Sequence, residues 1–294
     1  MRSLVVTLLL ALHPSLAQAA CPDYGDRVKA IAEHYVQHDR PMAHLRDIPD
    51  MATARCIADW LVETFATQAG WGAPVGYKVG LTSKAMQEKL GVSEPVWGTL
   101  LAKMLLPEGS AVPWNFAARP MAEADLLVTI ADDGINDAMT PEEAAKHIGA
   151  VTPFIELPDL VFAEGETVTA QRIAAINVGA TLGIVGEGTP MTPELAAALP
   201  QMYVAVTAYG LTQWRQPATA LMGHPLQPLV WLIAALKAEG RSLKAGDVVS
   251  LGSFGPPVLL TADDEGETVT VSYKSPAGTD VLNDVSVTFT GAQP

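Results

Sequence analysis

The sequence predicts a mixed α/β protein in which an N-terminal helical layer precedes a strand-rich body. Apolar residues recur at helical spacing between residues 22 and 70, whereas short apolar runs separated by Gly and Pro dominate from residue 73 onward. A hydrophobic content of 49% with 17% charged residues is typical of a globular chain with a sizeable core. We assign residues 21–72 to the helical layer and residues 73–294 to the body, and we expect them to form one domain.

The charge of the chain excludes some partners. The formal net charge is −14, so the chain lacks the basic surplus that neutralises nucleic-acid phosphates, and its sign disfavours an anionic membrane surface. A small anionic substrate remains compatible, because one bound cation reverses the local field. We expect a small-molecule partner, no nucleic acid, no membrane contact after N-terminal processing, and a homo-oligomer.

The first twenty residues have the three-part pattern of a secretory signal peptide. Arg2 gives a positive start, Leu4–Leu12 is an apolar run broken only by Thr7, and Ala17–Ala19 is a small-x-small cleavage signature. The run is too short to span a bilayer. The alternative is an apolar helix that stays in the fold. We interpret residues 1–20 as a signal peptide and expect a secreted or periplasmic protein.

The chain has two cysteines, Cys21 and Cys56. Cys21 follows the predicted cleavage site, but Gln18 stands where a lipoprotein signal has an aliphatic residue, so we expect no lipid anchor. In an oxidising compartment the two thiols could form a disulfide that ties the N-terminus to a helix. The alternative is one terminal and one buried thiol, and sequence spacing does not decide between them.

Two amphipathic helices make up the predicted helical layer. Residues 22–40 carry one apolar stripe, and Asp50 is placed to cap a second helix that runs to about Gly70. The stripe of the first helix consists of Val28, Ile31, Ala32 and Tyr35. The apolar face of the second consists of Ile57, Trp60, Leu61, Thr64 and Phe65.

In the body, apolar alternation predicts strands and capping patterns predict helices. The predicted strands are residues 76–81, 121–130, 151–157, 176–185, 202–208, 247–251, 258–261, 268–273 and 285–289. The predicted helices are Ser83–Leu90 closed by Gly91, two that begin at Thr140 and Thr192, and Pro225–Glu239. The acid cluster at residues 263–267 lacks the spacing of a calcium loop, and we interpret it as a hairpin turn in solvent.

Glu123 and Asp125 lie two residues apart on the predicted strand 121–130, so both carboxylates point to the same face. Adjacent like charges are unfavourable unless a cation neutralises them or one of them takes up a proton. Glu156 lies inside another apolar run and needs a partner if it is buried. Three carboxylates on strands suit a hard ion such as Mg²⁺ or Mn²⁺. The alternative is that Glu123 and Asp125 face solvent on an edge strand.

An ordered set of motifs resembles a known family. The motifs are Gly76–Ser83, Glu123–Asp125, the strand with Glu156, Gly223–Pro225 with Trp231 and Leu232, Ala245–Asp247 with Gly252, and Gly255–Pro256. Together they resemble the 2-keto-4-pentenoate hydratase and 4-oxalocrotonate decarboxylase family, a branch of the fumarylacetoacetate hydrolase superfamily. The resemblance extends over residues 25–290.

This resemblance implies a curled β-sheet core of the fumarylacetoacetate hydrolase C-terminal type and one divalent metal ion. By position it makes Glu123, Asp125 and Glu156 the metal ligands and Lys78 the catalytic lysine near the substrate. It implies a lyase that hydrates or decarboxylates a 2-oxo or 2-hydroxydienoic acid. The C1 carboxylate and C2 oxygen of such a substrate would chelate the metal, while Lys78 would stabilise the C2 oxygen or shuttle a proton.

Two departures from the family pattern concern the polarity of the site. Val96 stands where hydratases of the family usually carry an aspartate, so a carboxylate that could position water is missing, as is more typical of the decarboxylase branch. The family's polar Asp-Asn-x-Ser-Ser stretch is Ile176–Ala180 here, and only Asn177 survives, which we take as a substrate-binding residue. We therefore expect a drier site than that of a hydratase.

Two rival functions remain open from the sequence. An exported protein that binds the metal and an oxo acid without turnover is favoured by the missing polar residues and opposed by Lys78. Acylpyruvate-type carbon–carbon hydrolysis needs an activated water, usually through a His–Glu pair. None of the six histidines lies in an obvious motif with an acid, and His224 is interpreted as a residue at the start of a helix.

The signal-peptide interpretation predicts where the mature chain begins. Protein from a periplasmic fraction should start at Ala20 or Cys21, because cleavage follows the small-x-small signature. N-terminal sequencing measures this directly. An intact Met1 on soluble cytoplasmic protein would contradict the interpretation.

Overall fold

The computed structural model describes residues 24–37 and 47–292. The predicted signal peptide, residues 1–20, and Cys21 lie outside the described residues. Cys56 is buried on the second helix and is disulfide-bonded. Within the described ranges, no helix has both the length and the apolar content needed to cross a bilayer.

The predicted helical layer is confirmed. The side chain of Asp50 accepts a hydrogen bond from the Thr53 backbone N–H at 2.8 Å, which satisfies one of the free donors at the start of the second helix. Ser83 caps the third helix, which ends at Gly91 in the left-handed conformation. The α-helices are α1 Gly25–Gln37, α2 Met51–Thr67, α3 Lys84–Leu90, α4 Pro141–Ala145, α5 Ala170–Ala175, α6 Pro193–Ala198 and α7 Gln227–Ala238.

Within residues 24–37 and 47–292, the strands form two sheets, of nine and five strands. The strands are β1 Pro74–Gly80, β2 Val96–Leu101, β3 Leu105–Pro107, β4 Val112–Pro113, β5 Met121–Ile130, β6 Ile148–Leu157, β7 Leu182–Val185, β8 Thr189–Pro190, β9 Tyr203–Ala208, β10 Leu211–Pro217, β11 Val248–Ser250, β12 Val258–Leu259, β13 Thr268–Lys274 and β14 Asp280–Thr290. The large, curled sheet has the order β2-β1-β11-β5-β6-β7-β3, with β12 added to β5 and β8 to β6. The small sheet has the order β10-β9-β13-β14-β4.

The large sheet has a hydrophobic core on each face. The even-numbered residues of β5, from Ala122 to Ile130, belong to the core shared with α7 and the small sheet. Leu127 of the same strand belongs to the core shared with α1, α2 and α5. Because alternate residues of a strand point to opposite faces, Glu123 and Asp125 lie on the face that the helical layer covers.

The predicted strand at residues 176–185 is wrong in its first half. Helix α5 ends at Ala175, and residues 177–179 form a tight turn in which Asn177, Val178 and Gly179 have φ of 54°, 57° and 66°. Only Leu182–Val185 is a strand. An apolar run of this length fits a buried strand or a buried helix end equally well, and here the packing of α5 against α2 decides.

The acid cluster at residues 263–267 was predicted to lie in solvent, and this is wrong for Asp264, which is 2% exposed. The Tyr209 hydroxyl donates to its Oδ1 at 2.5 Å, and the Thr261 backbone N–H and hydroxyl donate to its Oδ2. Burial acts to raise the pKa of Asp264, but these hydrogen bonds outweigh it and leave the pKa below its ordinary value.

These bonds predict a pH-dependent loss of stability. Asp264→Ala should lower the free energy of unfolding at pH 7 by about 1–3 kcal/mol, because three partly buried hydrogen bonds to its carboxylate are lost. The wild-type contribution is complete above the unfolded-state pKa of 3.8 and disappears as the pH falls through the lower folded-state pKa. Urea denaturation at pH 7 and at progressively lower pH measures both effects. The exposed neighbour Asp263→Ala is the matched control, and an equal loss in that variant would contradict the assignment.

Candidate active site

Four predicted side chains meet on the helix-covered face of the large sheet. In the β5–β6 pair, Glu123 lies directly opposite Glu156, and Asp125 lies two residues further along the same face. Strand β11 lies between β1 and β5, and its Ser250 is level with Lys78. The Lys78 ammonium forms an ion pair with the Glu156 carboxylate. The structure thus brings together four charged groups from three strands.

The alternative of a solvated edge strand is wrong. β5 is paired on both sides, by β11 and by β6. Asp125 is 0% exposed, Lys78 3% and Glu156 5%, while Glu123 is partly exposed. Charged groups that are buried to this degree must be paired, hydrogen-bonded or protonated.

Asp125 is held by donors on β11 and in the turn that follows it. The backbone N–H groups of Leu251 and Gly252 donate to Oδ1 at 3.1 and 2.9 Å, and the Ser250 hydroxyl donates to Oδ2. Gly252 has φ 101°, and a Cβ there would lie 2.4 Å from Thr82 Oγ1, so only glycine fits. Sequence reasoning missed the role of Ser250, because it depends on the register of β11 against β5.

The pKa values of the cluster reflect its burial. Burial raises the pKa of Glu123 to about 7; the attraction of Lys78 opposes this shift and the charge of Asp125 adds to it. Burial raises the pKa of Asp125 to about 6, although the bond from Ser250 favours its ionised form. Burial lowers the pKa of Lys78 to about 8 against the attraction of both carboxylates. The attractions and hydrogen bonds within the cluster therefore do not fully offset the cost of burying the charges of Glu123, Asp125 and Lys78.

The three carboxylates fit a divalent ion, provided that Glu156 gives up its ion pair with Lys78. In the described part of the chain, no three His, Cys, Asp or Glu groups converge on a common point that could hold an ion. The Glu156 carboxylate is paired with the Lys78 ammonium, and the Asp125 carboxylate accepts hydrogen bonds from its neighbours. Carboxylate oxygens are nevertheless the ligands of hard cations. The three ionised carboxylates and the Lys78 ammonium together carry two negative charges, which one divalent ion would balance. Glu156 would have to bind the ion in place of Lys78.

Asn177 lies against β2, where Gly98 pairs with Lys78, but its amide is engaged with the backbone. Its Oδ1 accepts from the Thr99 N–H at 2.7 Å, and its Nδ2 donates to the Thr99 carbonyl at 2.8 Å. Gly98 pairs with Lys78 across β1 and β2, and a Cβ on Gly98 would lie 2.5 Å from the Asn177 carbonyl oxygen. Asn177 therefore fastens its turn to β2. These bonds do not support the substrate contact predicted for it, which stays a prediction.

An apolar wall continues from Lys78 along β1 and β2. Gly80 pairs with Val96, and a Cβ on Gly80 would lie 2.5 Å from Val178 Cγ1 and 3.6 Å from Val96 Cγ2. Val96 is 1% exposed and Val178 5%. Val178 has φ 57°, a conformation that is strained for a β-branched residue. The expectation of a dry region beside Lys78 thus has a structural counterpart.

His224 and His147 each form a hydrogen bond outside the acid cluster. The Nδ1 of His224 accepts from the Leu226 backbone N–H at 3.1 Å just before α7, which confirms its position at a helix start. His147 Nδ1 lies 2.7 Å from Asp132 Oδ1 at an exposed site. Neither forms the His–Glu pair that the hydrolase alternative needs.

Comparisons with known proteins give the family. No protein-family model matches the chain. The chain is 27% identical over 230 residues to the 2-keto-4-pentenoate hydratase of Paraburkholderia xenovorans, covering 78% of this chain and 84% of that protein. It is 30% identical over 199 residues to the 2-hydroxyhexa-2,4-dienoate hydratase of Comamonas testosteroni, covering 66% of this chain and 74% of that protein. The chain belongs to the 2-keto-4-pentenoate hydratase and 4-oxalocrotonate decarboxylase family.

Solved structures confirm the fold of this family member. The 4-oxalocrotonate decarboxylase from Pseudomonas putida, complexed with magnesium and adipate, matches with a TM-score of 0.74 and 25% identity over 90% of this chain and 97% of that one. The fumarylpyruvate hydrolase from Pseudomonas aeruginosa, complexed with Mn²⁺ and pyruvate, matches in fold alone, with a TM-score of 0.53 and 15% identity over 74% of this chain and 89% of that one. The protein is an enzyme of the hydratase/decarboxylase type with a mixed α/β fold.

Proposed function

We propose that this enzyme is a divalent-metal-dependent lyase that acts on a small 2-oxo or 2-hydroxydienoic acid, with Glu123, Asp125 and Glu156 as ligands of Mg²⁺ or Mn²⁺. The meeting of three carboxylates with Lys78 on one covered face of the sheet carries the proposal. Family relatives named as hydratases support the substrate class. Neighbouring structures complexed with magnesium, calcium or Mn²⁺ support a divalent ion.

The residues of the site divide the chemistry between them. When bound, the ion supplies Lewis-acid stabilisation of negative charge on the oxo-acid end of the substrate. If Glu156 bound the ion, Lys78 would be released from its ion pair with Glu156 and could donate a hydrogen bond or a proton to the substrate. A pKa of about 8 suits Lys78 to proton transfer near neutral pH. Val96 and Val178 keep water from this side of the site.

The apolar wall favours decarboxylation over hydration. Water addition needs a group that orients or deprotonates the incoming water, and Val96 supplies none. Loss of carbon dioxide needs no such base, and an apolar surface beside the leaving carboxylate strengthens the electrostatic interactions that drive the step. We therefore propose that the wild type releases carbon dioxide from a 2-oxo diacid faster than it hydrates 2-hydroxypenta-2,4-dienoate.

Removing one ligand charge tests the metal site. Glu123→Gln should weaken Mn²⁺ binding roughly tenfold or more while the protein stays folded, because it removes one of three anionic ligands from a partly exposed position. Asp125→Ala should remove most of the affinity as well, but it also removes the acceptor of the Gly252 N–H and of the Ser250 hydroxyl. Titration calorimetry with Mn²⁺ and with Mg²⁺ measures the affinities.

The exposed residue Glu94 gives the matched control, since Glu94→Gln removes the same charge outside the cluster. Unchanged affinity in Glu123→Gln would contradict the metal assignment.

Lys78→Met separates the roles of ligand and catalyst. Turnover should fall while Mn²⁺ still binds at least as tightly as to the wild type, because the competing Lys78 ammonium is gone. Saturable binding of 2-hydroxypenta-2,4-dienoate without turnover by the wild type would instead favour an oxo-acid-binding protein.

Val96 tests the reaction type. Val96→Asp should shift the ratio of rates toward hydration, since general-base assistance is worth roughly 10²–10⁴ in rate. Steady-state kinetics on the diacid and the dienoate, with wild type and variant, measures the ratio. Because Val96 is buried, Val96→Asn is the control for polarity and packing without a base. A wild type that hydrates briskly, with no change in Val96→Asp, would mean that another group positions the water.

A further inference from the structure

Tyr273 reaches the ligand strands from the opposite side of the sheet. It lies on β13 of the small sheet, is 0% exposed, and packs in the core shared with α7. Its hydroxyl donates a hydrogen bond to the Asp125 carbonyl oxygen and accepts one from the Phe154 N–H at 3.3 Å. Asp125 and Phe154 are directly paired across β5 and β6. The hydroxyl therefore bonds to both strands at one rung of the ladder.

This residue pair includes one proposed ligand, Asp125, and lies two residues from the pair Glu123 and Glu156, which holds the other two. Asp125 is itself a proposed ligand, and Glu156 lies two residues beyond Phe154 on the same face. Neighbouring peptide groups of β5 are held from its other edge, where the Ala124 and Leu126 carbonyls accept from Phe254 and Leu251. The Asp125 carbonyl faces β6 instead, where the Tyr273 hydroxyl meets it. The Tyr273 hydroxyl thus bridges β5 and β6 at the Asp125–Phe154 pair.

We propose that Tyr273 is a positioning residue of the metal site, which fixes the backbone of β5 relative to β6 and so sets the distance between the carboxylates of Asp125 and Glu156. The proposal rests on the proposed function, because it takes these two residues as ligands. Tyr273 packs in the core on the face of the sheet opposite the carboxylates, so it would act through the peptide groups of Asp125 and Phe154. Outer residues that orient ligands change metal affinity by about 10–100-fold when they are removed.

Tyr35 provides a matched control for a buried hydroxyl. It is also 0% exposed, and its hydroxyl donates to the Asp159 carbonyl at 2.8 Å, with the Ile176 carbonyl at 3.3 Å. Neither acceptor lies on a proposed ligand. Tyr35→Phe and Tyr273→Phe each remove one buried hydroxyl and keep the ring. Both should therefore lower the urea midpoint, whereas only one of them should disturb the metal site.

The test measures Mn²⁺ affinity by calorimetry and the electron paramagnetic resonance spectrum of bound Mn²⁺. Tyr273→Phe should bind Mn²⁺ about tenfold more weakly with an altered spectrum, while Tyr35→Phe keeps the wild-type affinity and spectrum. Wild-type values in Tyr273→Phe, or an equal loss in Tyr35→Phe, would overturn the positioning role. Wild-type protein that binds no Mn²⁺, or binding that is insensitive to Glu123→Gln, would overturn the proposed function and this inference with it.

A measurement on the wild type covers the case in which Tyr273→Phe does not fold. With [¹⁵N]phenylalanine labelling, titration with Mg²⁺ should shift the amide resonance of Phe154, whose N–H is bonded to Tyr273, more than those of Phe116 and Phe289. The rings of Phe116 and Phe289 stack on each other with centroids 6.5 Å apart, in the core shared with α7 and the small sheet. A Phe154 amide that does not respond to Mg²⁺ would show that the rung is not coupled to the ion, and would overturn the proposal.

Discussion

Burial of like charge at the centre of a sheet is the constraint on which the site depends. Glu123, Asp125 and Glu156 lie on two interior strands under a layer of helices, where water compensates them poorly. Each surrounding element supplies part of the missing compensation. Strand β1 brings the Lys78 ammonium, and the turn after β11 brings two N–H groups to Asp125. Two negative charges remain, which the divalent cation of the proposed function would balance.

The two faces of the large sheet divide stability from chemistry. The period of two along β5 sends Ala124 and Leu126 into one core and Asp125 toward the other face. The carboxylates can therefore be placed without opening the core that joins the two sheets. Tyr273 is the exception to this division, since its ring packs in the first core while its hydroxyl bonds to the backbone of the ligand strands. It couples the packing of the small sheet to the geometry of the acids.

Local patterns were predictable from the sequence, and contacts made by register were not. The cap at Asp50 and the shared face of Glu123 and Asp125 follow from spacing of a few residues, and both agree with the structure. The bond from Ser250 to Asp125 depends on which strand lies next to β5, and spacing along the chain does not encode this. The turn at Val178 was missed for a related reason: its strained φ persists only because neighbouring elements enclose it.

The apolar wall is a coupled unit that is held in place by Asn177. Its amide fastens the turn to Thr99, and this places Val178 against Gly80 and Val96. A polar group introduced at one position would meet apolar partners at the others and leave its hydrogen bonds unmade. A single polar change such as Val96→Asp should therefore cost stability, and a polar site as stable as the apolar one would require Val96 and Val178 to change together. The reaction preference proposed from Val96 would in this sense also depend on the packing between β1, β2 and the turn after α5.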